Sequence, residues 1–386
     1  MNINTENKKK NSTWLIGRTF LIVLVLIMLI NLITPNKDVS DEENRYLAKR
    51  PSITLDGVLS GSYMDRFESY LSDQFAGRSF LRKVKVGIQR LGGAKVSNGV
   101  FIGDDEYLMQ DIAVPNEDDL IDNITAINKT ADTYKDISFN MMIVPDAANI
   151  LKDKLPSLAV TADQNALINR VKKQMSESVT WIDASKSLNE HSEEKIYYKT
   201  DHHWTSLGAF YAFKDAAPLM GIKDDVSSMF APYPVSLDFN GTLASLSGCR
   251  LDEEEQIDIY VPKDLDKDLI VNYEEEQKKS TSIYDKSKLE TRDKYAVFLG
   301  GNSPIIDIRT LSANSDRLLI IKDSFANSFV QFLTPFYREI VMVDPRYYTG
   351  SFDDLVEVYG ITDVLFLYSG NTFFKDNNIS GVLNIE

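Results

Sequence analysis

"LLIIKDSFANSFVQFL", residues 318–333, changes character at its centre. Leu318 to Ile321 form an uninterrupted apolar run, whereas Phe325, Phe329 and Phe332 recur at four- and three-residue spacing. Continuous apolarity marks a strand covered on both faces, and the wider spacing marks a helix. The stretch therefore reads as a strand, a sharp turn at Lys322-Asp323-Ser324, and a helix.

Working outward, strand-like runs occur at residues 137–144, 179–183, 295–299, 317–322, 339–344 and 363–368, with helix-length segments between several of them. Strand and helix in alternation predict an α/β fold, a parallel sheet flanked by helices. Gly300-Gly301-Asn302, between "YAVFL" and "PIIDI", predicts a hairpin turn. From about 221 to 294 the pattern breaks into a charged stretch that reads as an insertion of short strands and loops. Its acidic runs are expected to do no more than solvate it.

The chain is 43% hydrophobic and 26% charged, which is the composition of a globular protein. Its net charge of -15 argues against nucleic acid as a partner. One cysteine, Cys249, excludes an intramolecular disulfide framework. At the N-terminus, Phe20 to Ile33 is apolar, and Trp14 to Gly17 extend the run to the roughly 20 residues that a spanning helix needs. Lys8, Lys9, Lys10 and Arg18 precede most of it and Asp38, Asp41, Glu42 and Glu43 follow, so the basic end stays in the cytoplasm and the bulk faces outward. The residues after the run offer no small-x-small cleavage site, which favours an uncleaved anchor. The expected plan is a cytoplasmic tail (1–13), a single transmembrane anchor (14–34), a stalk (35–60) and an extracytoplasmic domain (61–386) held at the cell membrane.

In parallel sheets, ligands gather at the carboxyl ends of the strands. Ser324 follows one such end, in a strand-to-helix turn that exposes a hydroxyl beside free backbone N–H groups. A serine needs a base, and the chain has three histidines. Two of them lie in "TDHHWTSLGAFYAF", residues 200–213, where Thr205 is a candidate N-cap for the helix that follows. Alternation in an extended approach puts Asp201 and His203 on one side and His202 and Trp204 on the other. Ser324, His203 and Asp201 thus assemble as a candidate acyl-transfer triad.

Asn371, after another strand, is the candidate oxyanion donor beside the Ser324 N–H. Arg346, Tyr347, His202 and Trp204 are the candidates for contacting substrate, although packing is the commoner use of a tryptophan. Adjacent histidines in extended chain point apart and Cys249 stands alone, so no metal site is expected. The chemistry calls for no cofactor.

"TDHHWTSLGAFYAF", "VFLGGNSPIIDI", "LLIIKDSFANSFVQFL", "VDPRYY" and "VLFLYSGNTF", in that order, resemble the DHHW proteins, relatives of the alginate O-acetyltransferase proteins in the SGNH hydrolase superfamily. "DEENRYLAKRP", "FESYLSDQFAGR" and "FIGDDEYLM" extend the likeness back to about residue 40. Lys322 departs from the wider superfamily, which has glycine before Asp-Ser, and the Asp-x-His block precedes the serine. The resemblance implies a Ser-His-Asp site that acetylates an exported polysaccharide, with a membrane-bound O-acyltransferase supplying the acetyl group. It assigns Ser324, Asp201 with His203, and Asn371 to the serine, Asp-His and asparagine blocks, and Arg346 to the "DxRY" segment. The alternatives are an acetyl esterase on the same glycan and a non-catalytic glycan-binding or scaffold subunit.

Overall fold

A computed structural model describes residues 3–40, 45–249, 254–263 and 268–383. The chain forms two units, residues 1–93 and 94–386. The first begins with α1 (Ile3–Ile33), in which Trp14–Ile33 has a mean hydropathy of 2.5 and is long and apolar enough to cross a membrane. Helices α2 (Ser62–Asp73) and α3 (Arg78–Leu91) follow. Asp73 accepts the Ala48 N–H at 2.9 Å and Gln74 accepts the Lys37 N–H at 2.9 Å, tying these helices to the segment before them. The domain boundary expected after residue 60 therefore falls inside this unit.

The second unit is built on an eight-stranded sheet: β1 (Ser138–Val144), β2 (Val179–Trp181), β3 (Leu269–Tyr273), β4 (Lys278–Ser280), β5 (Ile305–Thr310), β6 (Arg317–Lys322), β7 (Glu339–Val343) and β8 (Asp363–Ser369). Their spatial order is β4-β3-β5-β7-β6-β8-β1-β2, with β7, β6, β8, β1 and β2 mutually parallel and β5, β3 and β4 added antiparallel at one edge.

Continuous apolarity in the central strands has the predicted cause. Leu318 and Ile320 of β6 join one buried cluster, with Phe210 and Phe213 of α6 (Ser206–Leu219) and Phe325 and Phe329 of α8 (Phe325–Phe329). Leu319 and Ile321 point the other way, against Ile124 and Ile127 of α4 (Glu117–Thr133), Ile168 of α5 (Gln164–Gln174) and Phe352 of α9 (Phe352–Tyr359). Both faces are thus dry, and each such aliphatic side chain contributes about 1.5–3 kcal/mol by leaving water.

Two expectations fail. Residues 295–299 are no strand: Lys294–Val297 is a single 3-10 turn, and Leu299 has φ +59°. Tyr295, Val297 and Phe298 are buried with Tyr198 and Phe239, so the run is apolar because a compact turn is enclosed, and Gly300-Gly301 is no hairpin. The 221–294 segment is also more than a solvated insertion. Phe230–Phe239 pairs with Glu255–Pro262, while β3 and β4 complete the main sheet beyond β5.

Candidate active site

Strand order reverses around β6, whose sequence successor β7 lies on one side and β8 on the other. A crevice at the carboxyl ends is expected there. Asp323, wholly buried, closes the turn: Oδ1 accepts the Phe325 N–H at 2.9 Å, and Oδ2 accepts the Ser369 N–H at 3.0 Å and its hydroxyl at 2.7 Å. The carboxylate thereby links the ends of β6 and β8 and leaves Ser324 half-buried at the first turn of α8.

The loop that meets Ser324 is anchored from below. Buried Glu255 accepts the N–H groups of Lys199 and Thr200, each at 2.8 Å, together with the Thr200 hydroxyl. Thr205 caps α6 by accepting the Gly208 N–H at 3.2 Å. Asp201 is held by two backbone donors, its own loop's His203 N–H (3.1 Å) and the Thr242 N–H (2.7 Å) at the start of α7 (Thr242–Ser247). Gly241 is required beside it, because a Cβ there would lie 2.4 Å from Oδ2 of Asp201.

Within this frame His203 Nδ1 is 2.5 Å from Asp201 Oδ1, and His203 Nε2 is 2.7 Å from Ser324 Oγ. An ionised carboxylate can only accept, so Nδ1 carries the proton and Nε2 accepts from the serine hydroxyl. Burial, and then neighbouring His202, pull the His203 imidazole down to about 4, against Asp201 pulling the other way. Burial would raise Asp201, but the two imidazoles and the hydrogen bonds from His203 and Thr242 outweigh it and hold the carboxyl well below its usual range. At neutral pH His203 is an uncharged base beside a charged carboxylate. Tyr295 stacks on the His203 ring, centroids 3.7 Å apart and planes at 10°, and its hydroxyl donates to Ser328 Oγ at 2.9 Å.

A recess of about 320 Å³ opens at these strand ends, lined by His202, Arg346, Ser369, Asn371 and Lys375 among others. Asn371 Oδ1 accepts the Ala113 N–H (2.7 Å) and Nδ2 donates to the Asp111 carbonyl (2.9 Å), which fixes the amide and leaves it a second N–H. Its backbone N–H and the Gln164 amide both donate to Asp146, whose carboxyl burial pushes up to about 6. Arg346 grips Asp344 through two bonds, at 2.8 and 2.6 Å. Asp344 also lies 3.9 Å from the ammonium of Lys322, which is wholly buried, hydrogen-bonded to Asn302 and Asn327, and pulled down by burial to about 8.

The family model for DHHW protein matches residues 127–343, more than half of the chain and inclusive of Asp201, His203 and Ser324. The chain belongs to the DHHW family. Its fold is similar to that of a DHHW family protein from Eubacterium siraeum (24% identity, TM-score 0.65, covering 75% of this chain and 97% of that one) and of Bacillus cereus PatB1, solved also with a sulfonyl adduct (21%, TM-score 0.62 for the structure without adduct, 73% and 99%). The O-acetyltransferase domain of Pseudomonas putida AlgJ is a more distant likeness (14%, TM-score 0.47, 73% and 94%). No curated protein matches the chain.

In this DHHW chain three sequence expectations need correction. Trp204 is wholly buried and donates to the Phe325 carbonyl (3.1 Å) and Ser328 (3.0 Å), so it packs and cannot stack on a substrate. The adjacent histidines do not point apart. The bend at residues 201–203 brings their rings to 3.9 Å, and leaves His202 Nδ1 without a hydrogen-bond partner among the described residues. Asp201, His202 and His203 consequently place donor atoms within 4.8 Å of one another. The 2.5 Å separation of His203 Nδ1 and Asp201 Oδ1 is nevertheless a hydrogen bond, since two ligands each about 2 Å from a tetrahedral zinc lie roughly 3.3 Å apart. Finally, Glu255 of the acidic stretch is structural rather than solvating. Tyr347 is half exposed, its ring 5.5 Å from the Arg346 guanidinium. Sequence reasoning missed Tyr295 and Glu255, one inside an apolar run and the other inside an acidic one.

Proposed function

We propose that the protein is an O-acetyltransferase of an exported cell-surface polysaccharide, anchored in the cell membrane by α1 with residues 61–386 outside. The observation that carries this reading is the unbroken Ser324–His203–Asp201 chain of 2.7 and 2.5 Å contacts at the strand ends. The similarity to PatB1 supports the fold on which it stands.

In the proposed reaction Ser324 Oγ attacks the carbonyl carbon of an acetyl donor while His203 Nε2 takes the hydroxyl proton, and Asp201 stabilises the imidazolium. The Ser324 N–H and the second N–H of Asn371 receive the developing oxyanion. The donor's oxygen or sulfur departs with the proton from His203, leaving acetyl-Ser324. A sugar hydroxyl then attacks the acyl carbon, giving its proton to His203, and the acetyl ester leaves as Ser324 recovers that proton. Acetyl-CoA is cytosolic, so a membrane-bound O-acyltransferase partner relays the acetyl group. Arg346, His202 and Tyr347 position the acceptor at the recess.

The test is to treat the full chain with 4-nitrophenyl acetate and follow both burst release and the mass of the Ser324 peptide. An acetyl adduct that is absent in Ser324→Ala supports the reading; hydrolysis shared by the variant defeats it. Acetyl content of the surface glycan falls on loss of a transferase and rises on loss of an esterase, so its sign separates the two directions.

A further inference from the structure

We infer that α3 is a membrane-surface helix, lying along the outer face of an anionic bilayer beside the point where α1 emerges; this rests on α1 being a retained anchor. Phe80, Leu81, Val84, Ile88 and Leu91 fall, at 100° per residue, within one arc of about 100°. All five are between 40% and 92% exposed. Val86, on the opposite side, is the residue that the helix buries. A soluble helix turns its apolar stripe inward, so this one is inverted with respect to water.

Charge identifies the covering. Residues 78–91 contain five basic and no acidic side chains in a chain whose net charge is -15. Around the helix Lys85 and Arg78 lie about 40° and about 60° beyond one edge of the apolar arc and Lys83 about 60° beyond the other, with Arg82 further round beside Val86. An apolar stripe bracketed by cations is the pattern of a helix half-sunk among acidic headgroups, with aliphatic side chains in the acyl boundary and cations at the phosphates.

Position supplies a second, independent argument. The Ala76 N–H, two residues before α3, donates to Asn31 Oδ1 at 2.8 Å, and Asn31 lies in the last turn of α1. Asn36 and Lys37 are bonded to Tyr70 and Gln74 of the segment that leads into α3. The helix therefore starts at the level where the apolar span ends, and its 14 residues extend about 21 Å from there.

The experiment uses the full chain in a Cys249→Ser background, reconstituted in nanodiscs of phosphatidylcholine alone or with phosphatidylglycerol. Ile88→Cys, Leu81→Cys and, as reference in the span, Leu24→Cys carry an environment-sensitive fluorophore. In anionic discs the labels at 81 and 88 are expected to shift to the blue and to be quenched by lipid-borne quenchers, with the effect weakened by Lys83→Glu/Lys85→Glu and by salt. Labels at 81 and 88 that stay in water while the one at 24 is quenched overturn the inference and leave the anchor standing, as happens if a protein partner covers the stripe instead. A label at 24 that is also unquenched removes the anchor itself. Equal burial in neutral and anionic discs overturns the assignment of acidic lipid.

Discussion

The two ends of the parallel sheet carry recesses of unequal size and opposite character. At the amino ends, bounded by Ser138, Asn140, Asp316 and Asp363, lies a recess of about 840 Å³. The carboxyl ends hold one of about 320 Å³. Of the two ends, it is the carboxyl end that brings the Ser324 hydroxyl, the His203 imidazole and the Asp201 carboxylate within bonding distance, because each parallel strand delivers its following loop there. Volume records where side chains fail to meet; topology records where loops converge, and chemistry follows the loops.

Substitutions at the two ends test that contrast. Ser324→Ala should lower acetyl transfer by about 10⁴- to 10⁶-fold, as loss of a triad nucleophile does, with the unfolding midpoint little changed. Gly241→Ala leaves every reacting group in place but pushes a methyl against Asp201, and a displacement of about 1 Å should cost about 100-fold in kcat. Glu255→Ala strands the donors of Lys199 and Thr200 and should destabilise the protein by about 2 kcal/mol in urea unfolding.

The pH profile comes next in size. A base whose folded pKa is depressed is active above that value, so kcat/KM should be flat at neutral pH and fall about tenfold per unit as pH drops below about 4. The sign carries over to stability: relative to an ordinary imidazole near 6.5, burial of neutral His203 becomes unfavourable as pH falls from there towards 4. Lys223→Ala and Asp224→Ala, on the rim of the larger recess, should leave the rate within about twofold. A loss of the size expected for Ser324→Ala from either would move the site to the wrong end of the sheet.

Much of this was legible in the chain itself. Leu318 to Ser324 announces strand, turn and nucleophile because period and composition change within seven residues. The Asp201–His203 pairing was legible because a carboxylate two positions before an imidazole is within reach of its ring, although a bend at residues 201–203 rather than strand alternation brings them together. Tyr295 was not, since enclosure on all sides and burial in a sheet both erase periodicity, and an apolar five-residue run cannot distinguish them. Glu255 was hidden for the converse reason: four acidic residues in sequence, Asp252 to Glu255, look alike until pairing of residues 230–239 with 255–262 buries one of them. Lys322, wholly buried, finds its compensation in Asp344, a partner 22 positions away that local pattern does not reveal.

The ring of Tyr295 lies flat on His203, with His202 at 3.9 Å as a further neighbour. An imidazole so clasped has no room to swing towards an incoming alcohol and back. In the reaction proposed above, delivery then falls to the acceptor: its hydroxyl must travel to a stationary base, and stereochemical choice among hydroxyls becomes a matter of which one can reach that fixed nitrogen.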